Sequence, residues 1–374
     1  MNKELRWFDY ISININWFAL TTRSQVITPL IVPLLVQQFV GEANKGTYLG
    51  NMRLWALMAA LLIQALMGLL SDRNTSRFGR RRPFILIGAM LEVVVFILIG
   101  FSANFEGMTG YWVLFGLYIF SMVSANISHA ATQGFIPDLI PDEKKGIASG
   151  IKAMLELPIP LIFVSFVIAG MIERGNLWGA IFSLIAIMIV STVITMFAPE
   201  EPLQEKPTQI DWTPFIRLIM MTAMFTVVIL GSGWVVKGVL ILGDHLPQNL
   251  AFLVGGLAGL MGMGIAILLG VNLSLRISLK DDIRDHTSFK WWVVNRLTFL
   301  VAANNLAGFM VFFLQEKFPE YPGAAVAGPA AKIIMFVGIF ILLFALPSGW
   351  LSDRIGKKLL TAIAAIWWAL AQEL

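Results

Sequence analysis

Runs of about 18 or more apolar residues recur along the chain, and no other feature of the sequence restricts its fold as strongly. A run of that length can cross the hydrocarbon core of a bilayer as a helix, in which each backbone amide finds its partner within the segment. Only 13% of the residues are charged, compared with about 25% in soluble domains. The sequence therefore predicts an all-α polytopic membrane protein and argues against a soluble enzyme.

The apolar runs predict ten spans and the beginning of an eleventh. The ten are predicted at 10–40, 48–71, 83–102, 110–136, 147–172, 177–198, 213–242, 249–275, 290–315 and 329–351. The eleventh starts near residue 358 and has about 15 residues, short of the roughly 20 that a crossing needs. We therefore expect a C-terminally truncated fragment that does not transport by itself. A short re-entrant or interfacial end is the alternative.

Lysine and arginine are concentrated in alternate loops. The loops rich in these residues are 72–82, 142–145, 200–211, 276–290 and 353–358. The intervening loops hold only Lys45, Arg174 and Lys317. Because cytoplasmic loops carry an excess of lysine and arginine, the first set is predicted to be cytoplasmic, with the N terminus inside. The net charge of +4 thus reflects membrane topology and does not indicate a nucleic-acid partner.

One loop motif occurs twice, as GLLSDRNTSRFGRRRPF at 68–84 and GWLSDRIGKK at 349–358. Each copy follows a span and ends in a glycine with a basic cluster. Two copies in equivalent loops predict an internally duplicated transporter. The motif residues are Gly68, Asp72, Arg73, Gly79, Arg80 and Arg81 in the first copy, and Gly349, Asp353, Arg354, Gly356 and Lys357 in the second.

The motif resembles the loop between the second and third helices of the major facilitator superfamily, and its equivalent in the second half. Four extra residues, 74–77, make the first copy similar to that of plant sucrose transporters and of the glycoside–pentoside–hexuronide:cation symporters. FIPDLIPDEKKGIASG at 135–150 and FKWWVVNRLTFL at 289–300 resemble further segments of this branch. The resemblance implies two six-helix halves that alternate in access, with helices one, four, seven and ten lining a central cavity.

The position of the second copy bears on the domain organisation. In the family it follows the eighth helix, whereas here it follows the tenth predicted span. The resemblance then implies an N-terminal six-helix bundle at 1–199, a central region with two extra helices at 200–289, and the beginning of a C-terminal bundle at 290–374. Alternatively, 213–275 contains helices seven and eight, and the second copy is a coincidence.

By the same resemblance, the motif is a conformational latch. Asp72 is expected to pair with basic loop residues and with a helix end of the other half, favouring the outward-open state. Arg81 and Arg82 are expected mainly to hold the loop on the cytoplasmic side. An exposed aspartate beside an arginine contributes about 0.3–1 kcal/mol, so the latch would be weak enough to break during transport.

Polar side chains within the spans are candidates for the transport site. At about 100° per residue, those of the first span form one stripe, and those of the fourth share one face. Neutral hydrogen-bonding groups among aromatic residues suit a hydroxylated solute such as a sugar, and interhelical hydrogen bonding is the alternative role for each. The candidates are Asn14, Thr21 and Gln25, with Thr28, on the first span; Asn126, His129 and Gln133 on the fourth; and Asn295, Thr298 and Asn305 on the seventh family helix.

Three ionisable residues within spans are coupling candidates. Arg23 lies near mid-membrane, where a lipid-facing charge costs about 2.5–3.5 kcal/mol, so it needs a carboxylate, a carbonyl or a water-filled cavity. A carboxyl group removed from water can take up and release a proton near neutral pH. Glu156, in a segment whose two prolines should break the helix, is preferred over Glu92, and His129 is a further proton candidate. Pairing with Arg23 or Lys152 is the alternative role for the two acids.

The leading hypothesis is a secondary carrier that moves a sugar or glycoside together with a proton or another cation. The alternatives are an exporter of another small solute, or a non-transporting assembly or pigment-delivery protein of the same fold. The partners expected are a small-molecule substrate, the coupling cation and the lipid bilayer. The sequence has no cysteine and no phosphate-binding G-x-x-x-x-G-K-[ST] motif, so we expect neither a cofactor nor a metal.

Overall fold

The computed structural model describes residues 5–202, 211–243, 245, 247–279 and 287–355, and this part of the chain is all-α. Within it, nine helical segments are long and apolar enough to cross a membrane. The helices are α1 (Trp7–Val26), α2 (Val32–Val40), α3 (Lys45–Ser71), α4 (Arg82–Ser102), α5 (Gly107–Gln133), α6 (Phe135–Leu139), α7 (Lys145–Glu156), α8 (Pro158–Phe163), α9 (Ala169–Glu173), α10 (Leu177–Thr195), α11 (Thr213–Gly243), α12 (Gln248–Leu279), α13 (Thr287–Lys317) and α14 (Ala327–Ile355).

Nine of the ten predicted spans coincide with these nine segments. The remaining one, at 290–315, corresponds to α13, which has 31 residues and is long enough for a crossing although it is not among the nine. The eleventh predicted span lies outside the described residues. Gly356 and Lys357 of the second motif copy lie outside them as well.

Two spans depart from regular α-helix in their middle. In the first, a π-helical turn at Ile27–Ile31 joins α1 to α2. In the fifth, α7 ends at Glu156 and α8 begins at Pro158, while Leu157 between them has φ −120° and ψ −72°. Proline has no N–H to donate and its ring crowds the preceding turn, so the helix cannot continue through this point. The predicted break is therefore present.

The first six spans pack as one bundle. Helix α5 lies along both α3 and α4, and α1 packs against α7 and α10. At Gly88 of α4, a Cβ atom would lie only 2.7 Å from the backbone oxygen of Ser124 in α5. The missing side chain lets the two helix backbones approach closely, as small residues commonly do at helix contacts within membranes.

The later helices pack in two ways. Helices α11 and α12 form a hairpin whose main contacts are with each other, with additional contacts from α11 to α3 and from α12 to α13. Helix α13 lies against α2 and the π-helical turn, and α14 lies against α8 and α9. Phe312 of α13 and Ala330 of α14 belong to the same buried apolar cluster as Val36 and Tyr111, so α13 and α14 share a core with the first bundle.

Candidate functional site

A cavity of about 1140 Å³ lies between the first bundle and helices α11, α12 and α13. Most of the residues that line this cavity are apolar, and several of them are aromatic. The polar and ionisable residues that line it are Thr21, Arg23, Ser24 and Thr28 from α1 and the π-helical turn, Arg53 and Gln64 from α3, Tyr118, Asn126 and His129 from α5, Glu156 from α7, Thr222 from α11 and Ser274 from α12. A cavity of this composition can offer a polar solute several hydrogen-bonding groups.

On α5, the predicted face is only partly directed at the cavity. Asn126 and His129 line it, and the Asn126 amide donates to the backbone oxygen of Met122 at 2.7 Å. Gln133 is exposed and is not among the lining residues. Its amide nitrogen lies 3.3 Å from Nε2 of His129, so it contacts the imidazole without lining the cavity.

On the first span, the stripe extends beyond the cavity. Thr21 and Thr28 line it, whereas Asn14 and Gln25 do not. Asn14 lies about one turn before Trp17, the first residue of α1 in the lining, and its amide donates to the backbone oxygen of Tyr10 at 2.9 Å. A shared helical face therefore did not place all four residues at the same site: Asn14 lies beyond the end of the cavity, and Gln25, although it lies between Thr21 and Thr28 along the span, does not line it.

On α13, the predicted polar residues do not line the cavity, which is a correction to the expected site. Asn295 and Thr298 are exposed, and the Thr298 hydroxyl donates to the backbone oxygen of Val294 at 2.9 Å. The lining residues of α13 are Phe289, Val293, Leu297 and Phe309. The side chain of Asn305 lies outside the described residues.

Among the lining residues that the sequence analysis did not select, Gln64 and Trp17 contact His129. The amide nitrogen of Gln64 lies 3.4 Å from Nδ1 of His129, and the Trp17 ring meets the imidazole edge-on, with 5.2 Å between ring centres. Lys152 places its ammonium 3.9 Å from the centre of the Trp17 ring. Gln64 is a polar residue in an otherwise apolar span. Selecting every polar residue within the spans would therefore have included it.

Arg23 pairs with Glu92. The Glu92 side chain supplies the carboxylate that an arginine near mid-membrane needs. Arg23 Nε lies 2.7 Å from Glu92 Oε1, and the side chains are 5% and 0% exposed. Ser121 donates to the same oxygen at 2.7 Å and accepts from Arg23 Nη2 at 2.5 Å, while Ser124 donates to the other oxygen. Glu92 is therefore paired with Arg23, the contact that the alternative role for Glu92 requires, and the pair joins α1, α4 and α5.

Glu156 is not the desolvated carboxyl group that its sequence context predicted. Its side chain is 42% exposed, it lines the cavity, and it lies 3.6 Å from Lys152 Nζ one helical turn away. The break at Pro158 explains its position, because Glu156 is the last residue of α7 before the helix is interrupted. The carboxylate can therefore be reached from the cavity, which Glu92 cannot.

The first motif copy is organised around Arg81. Arg81 Nη2 lies 2.6 Å from Asp72 Oδ1, and Arg81 Nε lies 2.5 Å from Asp138 Oδ2, which also pairs with Arg80. The Arg81 side chain is only 7% exposed. Arg81 was expected mainly to hold the loop inside, but it is a buried link between the end of α3 and α6. Asp72 thus pairs with a basic residue of its own loop.

Two glycines and an acid complete this cluster. A Cβ atom at Gly134 would fall inside the Arg81 guanidinium, so that position has no room for a side chain. Gly79 has φ +105°, a value that favours glycine. Glu200, beyond the end of α10, accepts the backbone N–H groups of Arg81 and Arg82 at 2.7 Å and 3.1 Å. Burial raises the pKa of Glu200 above its ordinary range, although these two hydrogen bonds oppose the rise.

The second motif copy can be placed only in part. Gly349, Asp353 and Arg354 lie in the last turns of α14, and their side chains are outside the described residues. The predicted contact between Asp72 and a helix end of the other half is not among the contacts of the described residues.

Helices that are long and apolar enough to cross a bilayer define a multi-pass integral membrane protein. The family described as Major Facilitator Superfamily matches residues 18–326. The chain belongs to that family.

Short segments of the chain are similar to plant sucrose transport proteins. Sucrose transport protein SUC3 of Arabidopsis thaliana is 43% identical over 53 residues, which cover 14% of this chain and 9% of that protein. Sucrose transport proteins SUT1 and SUT3 of Oryza sativa are each 49% identical over 47 residues, covering 13% of this chain and 9% of each relative. The matched segments thus span about a tenth of the length of these relatives.

Proposed function

We propose that this transporter carries a sugar or glycoside through the cavity, coupled to a proton. The observation that carries the proposal is the grouping of neutral hydrogen-bonding side chains, Asn126, His129, Gln64 and Thr21, around one cavity that also contains the carboxylate of Glu156. Amide, hydroxyl and imidazole groups can both donate to and accept from sugar hydroxyls. The similarity to sucrose transport proteins supports the same substrate class.

Glu156 is proposed as the coupling residue. A residue that carries a proton must exchange it with water on both sides of the membrane in turn, and so it must be accessible from the cavity. Glu156 has this access, since its side chain is 42% exposed. Glu92 has none, and its carboxylate is held by one guanidinium and two hydroxyl groups. Glu92 is proposed to be structural, and Arg23 with it.

The domain organisation is proposed on the packing of the later helices. We assign α13 and α14 to the beginning of the C-terminal bundle, at 290–374, because both share a core with the N-terminal bundle at 1–199. The α11–α12 hairpin in the central region, at 200–289, is assigned as the inserted pair, since its main contacts are internal. The N terminus and the first motif copy are proposed to be cytoplasmic.

The substrate is tested by reconstituting the full-length protein in lipid vesicles and measuring entry of labelled sucrose, other disaccharides and monosaccharides. A sugar carrier takes up at least one of them faster than empty vesicles, and the same unlabelled sugar in excess abolishes the uptake. An exporter of another solute, or an assembly protein without transport activity, gives no uptake of any sugar in either vesicle orientation, and that result would reject the proposed substrate class.

A further inference from the structure

The beginning of α3 and the later part of α13 meet across the boundary between the first bundle and the α13–α14 pair. The guanidinium carbon of Arg53 lies 5.6 Å from the centre of the Phe309 ring. Lys45 Nζ lies 4.8 Å from the centre of the Phe312 ring and 3.4 Å from Gln315 Oε1. Two cations of one helix therefore lie over two aromatic rings of the other, an arrangement that is more favourable when water is excluded.

Gly308 makes the approach of Arg53 possible. A Cβ atom built on Gly308 would fall inside the Arg53 guanidinium, so the cation occupies the volume that any larger residue would fill. Phe309, the next residue, supplies the ring beneath the cation. Arg53 also lines the cavity, as Phe309 does. The contact therefore forms part of the cavity wall and at the same time joins α3 to α13.

The described contacts of α13 and α14 with the first bundle are concentrated at one end of the molecule. This end carries the connections at 41–44 and 318–322, which the lysine and arginine distribution predicts to be outside. The Ser165 hydroxyl also donates to the backbone oxygen of Ala331 in α14 at 2.8 Å. The α3–α13 contact is thus one of several contacts that join α13 and α14 to the first bundle.

We propose that Arg53, seated against Gly308 and Phe309, is the positioning residue that keeps the cavity closed at its outer end. The contact joins two parts of a transporter that must separate for the cavity to open on this side, so it exists in the outer-closed state and is lost in the outer-open state. An interaction present in only one of two states shifts the equilibrium toward that state. Weakening it increases the fraction of molecules whose cavity is open to the outside.

The test measures access to the cavity and needs neither a substrate nor a coupling ion, so its outcome is independent of the proposed sugar transport. Because the sequence has no cysteine, Ser24→Cys introduces a single thiol in the cavity lining. Its rate of reaction with a membrane-impermeant maleimide is measured from outside in intact cells and from the cytoplasmic side in inverted vesicles. The variants are Gly308→Ala, which displaces the guanidinium, and Arg53→Met, which removes the charge but keeps a long apolar chain.

Both variants are expected to react at least threefold faster from outside than Ser24→Cys alone. Gly46→Ala is the matched control, because Gly46 lies on the same helix as Arg53, does not line the cavity and has open space where a Cβ atom would be. This variant should leave the outside rate unchanged. An unchanged outside rate in both Gly308→Ala and Arg53→Met, with normal reaction from the cytoplasmic side, would overturn the proposal.

Discussion

The guanidinium of Arg23 and the carboxylate of Glu92 meet at 2.7 Å in the buried interior of the first bundle and join the first and third spans. Neither charge faces lipid, and Ser121 and Ser124 each donate a further hydrogen bond to the carboxylate. The pairing therefore offsets the cost of burying an arginine near mid-membrane, because each charge has an oppositely charged partner and is hydrogen-bonded as well.

Removing one member of this pair is expected to cost more stability than removing both. Glu92→Gln leaves the Arg23 charge buried without its counter-charge, at a cost of about 3–5 kcal/mol. The double variant Arg23→Met with Glu92→Met leaves no unpaired charge and should recover most of that loss. Thermal unfolding of purified protein in detergent measures the difference. A double variant that is no more stable than Glu92→Gln would contradict a simple ion-pair role.

The contact between Asp72 and Arg81 predicts a transport defect without a folding defect. Asp72→Asn removes the carboxylate charge at 2.6 Å from Arg81, and the exposed position of Asp72 means that little stability is lost. We expect slower transport at normal abundance in the membrane. Asp142→Asn is the control, because Asp142 is an exposed acid in a loop on the same predicted side, paired with Lys145. Unchanged uptake in Asp72→Asn would remove this residue from the mechanism.

The absence of a side chain at Gly134 is expected to be essential for the Arg81 cluster. Gly134→Ala places a methyl group where the guanidinium lies, so the ion pairs with Asp72 and Asp138 should be lost together. The variant should transport more slowly than Asp72→Asn, which removes only one of the two pairs. Gly116→Ala serves as the control, since Gly116 lies on α5, the helix that ends just before Gly134, and has open space around it. Equal uptake by the two glycine variants would show that the cluster tolerates displacement of Arg81.

Glu200 is expected to make stability depend on pH. Burial raises its pKa above the ordinary value of 4.5, so the folded state holds this proton more tightly than the unfolded state does. The contribution of Glu200 to stability is then fully present below pH 4.5 and is lost as the pH rises through the higher folded-state pKa. Unfolding measured between pH 4 and 8 should show that wild type loses stability relative to Glu200→Gln as the pH rises. The expectation would be contradicted if the stability difference between wild type and Glu200→Gln did not change with pH, or if wild type became relatively more stable as the pH rises.

The spans were predictable from sequence because a bilayer requires about 20 consecutive apolar residues, which leaves a pattern that neighbouring helices do not alter. The need of Arg23 for a partner was predictable for the same reason, but the choice of Glu92 was not, since it depends on how α1 and α4 are placed. Helical periodicity correctly put Thr21 and Thr28 on one face, yet it could not show that the cavity begins at Trp17 and excludes Asn14. The side chain of Gln64 meets His129 only after α3 and α5 pack together.

The most direct test of proton-coupled sugar transport is uptake of a labelled disaccharide into vesicles containing the full-length protein, driven by an imposed pH gradient. We predict that wild type accumulates the sugar above equilibrium. Glu156→Gln should keep exchange of labelled for unlabelled sugar but lose the accumulation, whereas Glu143→Gln, which removes an equal charge from an exposed turn, should behave as wild type. Gradient-driven accumulation that persists in Glu156→Gln would contradict the assigned coupling residue, and wild type without any gradient-driven accumulation would contradict proton coupling itself.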